Sequence, residues 1–204
     1  MSETWLKPPA IDDLVRLPGY SLLRVDRVGK GGRGIGVYVR EGLSVGVLAS
    51  SPIHYCGQPE YLLVRVSAAG QRPFLLAIDY RPPKLGYLIN FQQDFEKFLP
   101  SFPAAIVVGD FNIDLNRQSF DASSLCDFCD SNHLYIVPFA NTHHTAISHS
   151  RIDHCLASDR SFILTHFQFA LSFLSGHDLI GGRLQFQPTS ASRHLDSRSF
   201  GFDT

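Results

Sequence analysis

Apolar positions along this chain fall in short runs, most of them built from the β-branched and aromatic residues that suit a pleated strand. "GIGVYVREGLSVGVL", residues 34–48, reads as two such runs parted by Glu41 and Gly42. "YLLVRVS" (61–67) and "FLLAIDY" (74–80) flank "AAGQRP" as the arms of a hairpin. "AAIVVGDF" (104–111) is apolar almost throughout, as a strand covered on both faces would be. "SRIDHCLAS" and "FQFALSFLSGHDLI" are also strand-like, and each adjoins a polar cluster.

Helices are fewer. In "NFQQDFEKFL", Phe91, Phe95, Phe98 and Leu99 fall at i, i+4, i+7 and i+8, a single helical stripe. Asn90 is placed to cap it, with Gln93 as the return partner. "DASSLCDFCDSNHL" (121–134) predicts a second helix, with Asp121 as cap and Leu125, Phe128 and Cys129 turned inward. Helices set between strand runs predict an α+β or α/β sandwich. The closing "QPTSASRHLDSRSFGFDT" has little periodicity, so the domain is assigned to residues 1–186 and a Ser/Arg-rich linker or tail to 187–204.

Composition narrows the classes without choosing among them. A chain of 204 residues fits one domain, which at that size buries roughly 70% of its unfolded surface and needs no staples. The formal charge of −1 argues against coating nucleic acid by bulk electrostatics, although a local basic groove is compatible with it. Of Cys56, Cys126, Cys129 and Cys155, only Cys126 and Cys129 are close, and no second pair completes a tetrahedral zinc site. The thiols read as reduced and intracellular. No apolar run approaches the length of about 18 residues that a transmembrane helix needs, and "MSETWLKPPA" lacks the regions of a signal peptide. No membrane partner is expected.

The candidate chemistry lies where apolar runs break. In "VVGDFNIDLN" (107–116), Asp110 and Asn112 stand two apart and so share a face of an extended chain. Such a pair could serve a metal site or simply start a turn. Glu3 in "ETWL", Tyr80 and Arg81 in "DYRPP", Asp153 in "SRIDH" and His177 in "SGHDLI" complete the set. A hard cation such as Mg²⁺ would use one or two carboxylates, and a histidine held by a carboxylate could act as base. Each residue also has a plain reading: Glu3 as a solvated terminus, Tyr80 as core, Arg81 as a loop stiffened by two prolines, and His177 as a satisfied histidine. His143, His144 and His149 read as a solvated loop or as a metal cluster.

Taken in order, "ETWL", "LPGYSLLRVDR", "GGRGIGVYVR", "YRPP", "VVGDFNIDL", "SRIDHCLAS" and "SGHDLI" resemble the endonuclease/exonuclease/phosphatase superfamily. More narrowly they resemble the apurinic-type endonuclease domain of non-LTR retrotransposons, over most of the chain. The resemblance implies a DNase I-like fold: two β-sheets stacked as a sandwich and flanked by helices in four layers. It implies Mg²⁺- or Mn²⁺-dependent phosphodiester hydrolysis that nicks DNA, in a polyprotein whose reverse transcriptase domain uses the freed end, and hence work in the nucleus.

By the same resemblance, Glu3 is the metal-binding glutamate and Tyr80 approaches the scissile phosphate with Arg81 beside it. Asp110 aligns or deprotonates the attacking water, Asn112 helps hold the phosphate, and Asp153 orients the catalytic His177. Two departures stand out. The family has Ser-Asp-His where this chain has Ser175, Gly176 and His177. It also carries an initial strand, with an asparagine near the metal, ahead of the glutamate, which here is the third residue. Three other readings follow: a catalytically inactive fragment of the domain, a superfamily phosphoesterase acting on an inositol phosphate or phospholipid head group, and structural zinc at Cys126, Cys129 and nearby histidines.

Overall fold

The apolar runs become strands at almost every expected place. The computed structural model describes residues 4, 6, 12–28, 34–54, 57–83, 88–171, 174–185 and 188–189. In chain order they form β1 (Tyr20–Val25), β2 (Ile35–Arg40), β3 (Leu43–Ser50), β4 (Glu60–Ala68), β5 (Phe74–Tyr80), α1 (Ile89–Phe98), β6 (Ala105–Asp110) and α2 (Phe120–Ser131). There follow β7 (Tyr135–Ile136), β8 (His143–His144), β9 (His149–Ser150), β10 (Asp153–Ala157), β11 (Ile163–Phe169) and β12 (Leu179–Leu184).

A six-stranded mixed sheet in the order β3-β4-β5-β6-β10-β7 organises the molecule. Only β5 and β6 run parallel, with α1 between them in sequence, and the other pairs are antiparallel. Alternation sends successive side chains to opposite faces. Leu63, Leu75, Ala77, Ala105, Val107 and Leu156 therefore meet Phe91 and Phe95 of α1 and Leu125, Phe128 and Cys129 of α2. Leu62, Val64, Ile78 and Ile106 leave the other face and meet Ile35, Phe162 and the inner sides of two hairpins, β1–β2 and β11–β12. β6 is covered on both sides, which is why its sequence shows no alternation. The fold is an α+β sandwich.

Three local expectations are corrected. Asn90 does not cap α1: Leu88 holds that position without a side-chain bond, and Asn90 lies inside the helix and pairs with Gln58. Asp121 does not cap α2: Ser119 does, its hydroxyl accepting from the Ala122 amide at 3.1 Å, and Asp121 is free to pair with Arg81. "FQFALSFLSGHDLI" is not one strand. β11 stops at Phe169 and β12 starts at Leu179, because the amides of Leu174 and Ser175 both turn back to the Leu171 carbonyl. No helix among the described residues is long and apolar enough to cross a membrane.

Candidate active site

Four adjacent strands of the sheet bring polar residues to one row. Glu60 lies opposite Tyr80, Tyr80 opposite Asp110, and Asp110 opposite Asp153. Residues paired across strands share a face, so the row faces the hairpin layer. Gly109 makes the close approach of β5 and β6 possible here: a Cβ on it would lie 1.8 Å from the Asp79 carbonyl oxygen.

After Asp110 the strand ends in a local clamp. Asn112 adopts a left-handed φ of 48°, a conformation asparagine tolerates better than most residues. Its backbone N–H donates to Asp110 Oδ1 at 2.9 Å, and its Nδ2 donates to Asp110 Oδ2 at 3.0 Å and to the Arg81 carbonyl at 2.9 Å. The carboxylate is thereby held by both oxygens before any substrate arrives. The turn in "GDFN" is present, and it orients the Asp110 carboxylate.

Opposite it, His177 Nδ1 lies 2.9 Å from Asp153 Oδ2, the pairing the sequence led us to expect. An ionised carboxylate only accepts, so the proton sits on Nδ1 and leaves Nε2 for other work. Ligand atoms of Asp110, Asp153 and His177 lie within 4.8 Å of one another. Two carboxylates and an imidazole converging at that spacing fit a divalent cation that keeps most of its waters. Glu3, the expected metal ligand, lies outside the described residues.

The neighbours of this triad were less legible. Tyr80 is 1% exposed and packs in the cluster between the sheet and the hairpins. Arg81 was expected to reach a substrate phosphate, but it too is 1% exposed. Its guanidinium donates to the carbonyls of Phe111 and Asn112, both at 3.3 Å, and pairs with Asp121, so it braces the clamp from beneath. Asp79 went unnoticed. It is fully buried, neither carboxyl oxygen has a hydrogen-bond partner among the described residues, and burial followed by the charge of Asp110 raises its pKa well above the usual range. Glu60 pairs with Arg27 at 3.0 Å and accepts from the Gly34 amide at 2.8 Å, a buried strut at the end of the row. Thr142 was missed as well, and its hydroxyl accepts from the amides of Ile152 and Asp153.

His143 stands over His177 with ring centroids 4.6 Å apart. Burial, then the neighbouring His177, lowers its pKa.

A family model described as the endonuclease/exonuclease/phosphatase family matches residues 1–172, well over half of the chain. The chain belongs to this family. No curated protein matches it in sequence. Solved structures do match in fold. The endonuclease domain of TRAS1, a telomere-specific non-LTR retrotransposon, is 15% identical with a TM-score of 0.67, over 84% of this chain and 81% of that one. A family protein from Leptotrichia buccalis is 12% identical with a TM-score of 0.58, over 82% and 72%. The human Nocturnin catalytic domain is 14% identical with a TM-score of 0.54, over 83% and 73%.

Membership gives the odd residue at 176 a physical setting. A Cβ on Gly176 would meet the His144 carbonyl at 3.0 Å and His143 Nε2 at 3.4 Å. The space beside His177 that an acidic side chain would need at this endonuclease/exonuclease/phosphatase rim is taken by β8. Among the described residues, the cysteines form no zinc centre. Cys126 is exposed while Cys129 is buried on the same helix, and burial pushes the Cys129 thiol up to about 12. No cysteine joins a metal-ligating cluster among the described residues.

Proposed function

We propose that this chain is a divalent-metal-dependent phosphodiester hydrolase that nicks DNA, the endonuclease domain of a non-LTR retrotransposon polyprotein that also carries a reverse transcriptase. One observation carries the reading: Asp110, Asp153 and His177 converge within 4.8 Å, with Asp110 clamped and His177 held by a carboxylate. The ordered motifs and the fold shared with the TRAS1 endonuclease domain support DNA as the substrate and the nucleus as the place of work.

The roles follow from the contacts. Asp110, both oxygens already oriented by Asn112, accepts hydrogen bonds from the attacking water and takes its proton as the water adds in line to phosphorus. Asn112 acts through Asp110, since both Nδ2 bonds are committed in the free site. His177 takes a second proton on Nε2 from solvent and donates that N–H to a phosphoryl oxygen, while Asp153 on Nδ1 stabilises the imidazolium charge. Tyr80, buried beside Asp110 in the same row, packs beneath the site, and Arg81 keeps the clamp in place. Mg²⁺ or Mn²⁺, held by Asp110 and Asp153 with Glu3, would neutralise the charge building on the phosphate.

The test is nicking of supercoiled plasmid by purified protein with Mg²⁺, beside an EDTA control and the variants Asp110→Ala and His177→Ala. Nicking that disappears with EDTA and falls roughly 10²–10⁴-fold in each variant is the expected result. Well-folded wild-type protein that leaves plasmid intact would sink the proposal in favour of the inactive domain. Turnover of a phosphoinositide in the same preparation would move the substrate to another phosphoester.

A further inference from the structure

The strand that supports the catalytic histidine has a second face, and it carries a different set of donors. His143 bridges to His177, so their side chains lie together on the catalytic side. The flanking residues alternate to the opposite side. There, His144 on β8 lies directly across from His149 on β9, and Asp178 reaches the same group from the neighbouring segment.

Three distances define the arrangement. His144 Nε2 lies 3.2 Å from Asp178 Oδ2. That oxygen also accepts from Gln168 Nε2 at 2.7 Å, and the Asp178 side chain is 8% exposed. His144 Nδ1 lies 2.7 Å from His149 Nδ1. A carboxylate oxygen only accepts, so Nε2 is the His144 donor to Asp178, and Nδ1 is the nitrogen whose lone pair is left to serve as a ligand. That lone pair points at a second imidazole nitrogen at the solvent boundary: the His144 side chain is 36% exposed and His149 is exposed.

We propose that His144 and His149 bind a borderline divalent transition-metal ion of the Zn²⁺ class through their Nδ1 atoms, water completing the shell, at a site separate from the carboxylate centre. Imidazole pairs suit Zn²⁺, Ni²⁺ and Cu²⁺ and discriminate against Mg²⁺. A histidine whose other nitrogen donates to a buried carboxylate is the usual form of a metal-ligating imidazole. With metal–nitrogen bonds of about 2.0–2.1 Å, the observed spacing closes an angle of about 80°, and a small swing of the exposed His149 ring opens it further. The position of Gly176 matters too. It lies across from His144, whose amide donates to the Gly176 carbonyl at 2.7 Å, so the backbone beside Asp178 is tied to β8.

The site does not depend on the proposed nuclease activity. It would be coupled to the catalytic side through one ribbon, because Asp178 follows His177 directly. The ion would tie β8, β9 and the His177 segment together.

Zn²⁺ titration by calorimetry on metal-free protein tests this, using wild type, His149→Ala, Asp178→Asn and Asp110→Asn. The expected result is a Zn²⁺ site in wild type that weakens at least tenfold in His149→Ala and survives in Asp110→Asn. Asp178→Asn should weaken it roughly 10–100-fold. His149 is exposed, so its replacement leaves the fold intact, as circular dichroism would show. The proposal is overturned if wild type takes up no Zn²⁺, if His149→Ala binds as tightly as wild type, or if Asp110→Asn removes all binding. An absence of DNA nicking would leave these titrations unchanged.

Discussion

Replacing Gly109 with alanine should damage this protein far more than a single methyl group suggests. The added Cβ would lie 1.8 Å from the Asp79 carbonyl oxygen, 2.7 Å from its carbon and 3.0 Å from its nitrogen. Close carbon–oxygen contacts settle at about 3.3 Å, so the overlap is about 1.5 Å. All three atoms are backbone, and they belong to β5, which is hydrogen-bonded between β4 and β6. No rotamer change relieves the clash, and the strands must part at a point where sheet spacing is about 4.8 Å. Overpacking a core costs roughly 1–3 kcal/mol, and with backbone as the obstacle we expect the top of that range, about 3 kcal/mol. For a domain of this size that lowers Tm by roughly 6–12 °C. The neighbouring pair Tyr80–Asp110 and the bond from the Arg81 amide to the Asp110 carbonyl, at 2.9 Å, would shift with it. Gly46→Ala in β3 is the control, because its Cβ would meet nothing within 4 Å. Thermal unfolding of the two variants should show Gly109→Ala far below wild type and Gly46→Ala at or above it. A Gly109→Ala protein melting within about 2 °C of wild type would refute the reasoning.

Burial lowers the His154 pKa to about 4 from 6.5, and its Nε2 lies 2.8 Å from the Ile113 carbonyl. The unfolded chain takes up a proton that the folded one resists, so this contribution is complete above pH 6.5 and is lost as pH falls towards 4. Urea midpoints between pH 7 and 4 should reveal about 3 kcal/mol of such loss, and His154→Gln should flatten that part of the profile; parallel profiles would contradict it. Arg81→Met should destabilise by roughly 2–4 kcal/mol in urea unfolding, because two carbonyls and Asp121 lose a donor, and Arg81→Lys should restore little, since one ammonium cannot span the fork. A loss below about 0.5 kcal/mol would show that the brace contributes nothing.

Strands were legible where burial imposes an apolar run, as in β4, β5 and β6, because local pattern and long-range packing demand the same residues there. Helix starts were less so. Asn90 and Asp121 are both plausible caps in isolation, but the helices begin at Leu88 and Ser119, where docking on the sheet sets their starts. The segment from Phe167 to Ile180 misled because its apolar residues serve two strands and a turn at Leu171. At the site, Asp110, Asn112, Asp153 and His177 could be found because their motifs are short and ordered. Arg81 was misread since its pairing with Asp121, forty positions on, leaves no trace in the local sequence. Asp79 and Glu60 stayed hidden for a related reason: their burial comes from strand register, which is a property of pairs.

The two halves of the site are anchored by different means, and Thr142 joins them. Asp110 and Asp153 stand on β6 and β10, neighbours inside the six-stranded sheet, so their separation is set by sheet spacing. His177 lies outside that sheet, and its segment is bridged to β8 at His143. What registers it is Thr142, which is fully buried. The Thr142 hydroxyl accepts from the amides of Ile152 at 3.2 Å and Asp153 at 2.9 Å, while its carbonyl accepts from the Asp178 amide at 2.7 Å. One side chain thus fixes the backbone that carries the carboxylate, and one carbonyl fixes the backbone beside the histidine. The 2.9 Å contact between Asp153 and His177 is the product of that shared anchor rather than of the attraction between the two side chains alone. A pair so arranged holds its geometry whether or not His177 is charged, which is what the role proposed for His177 would require.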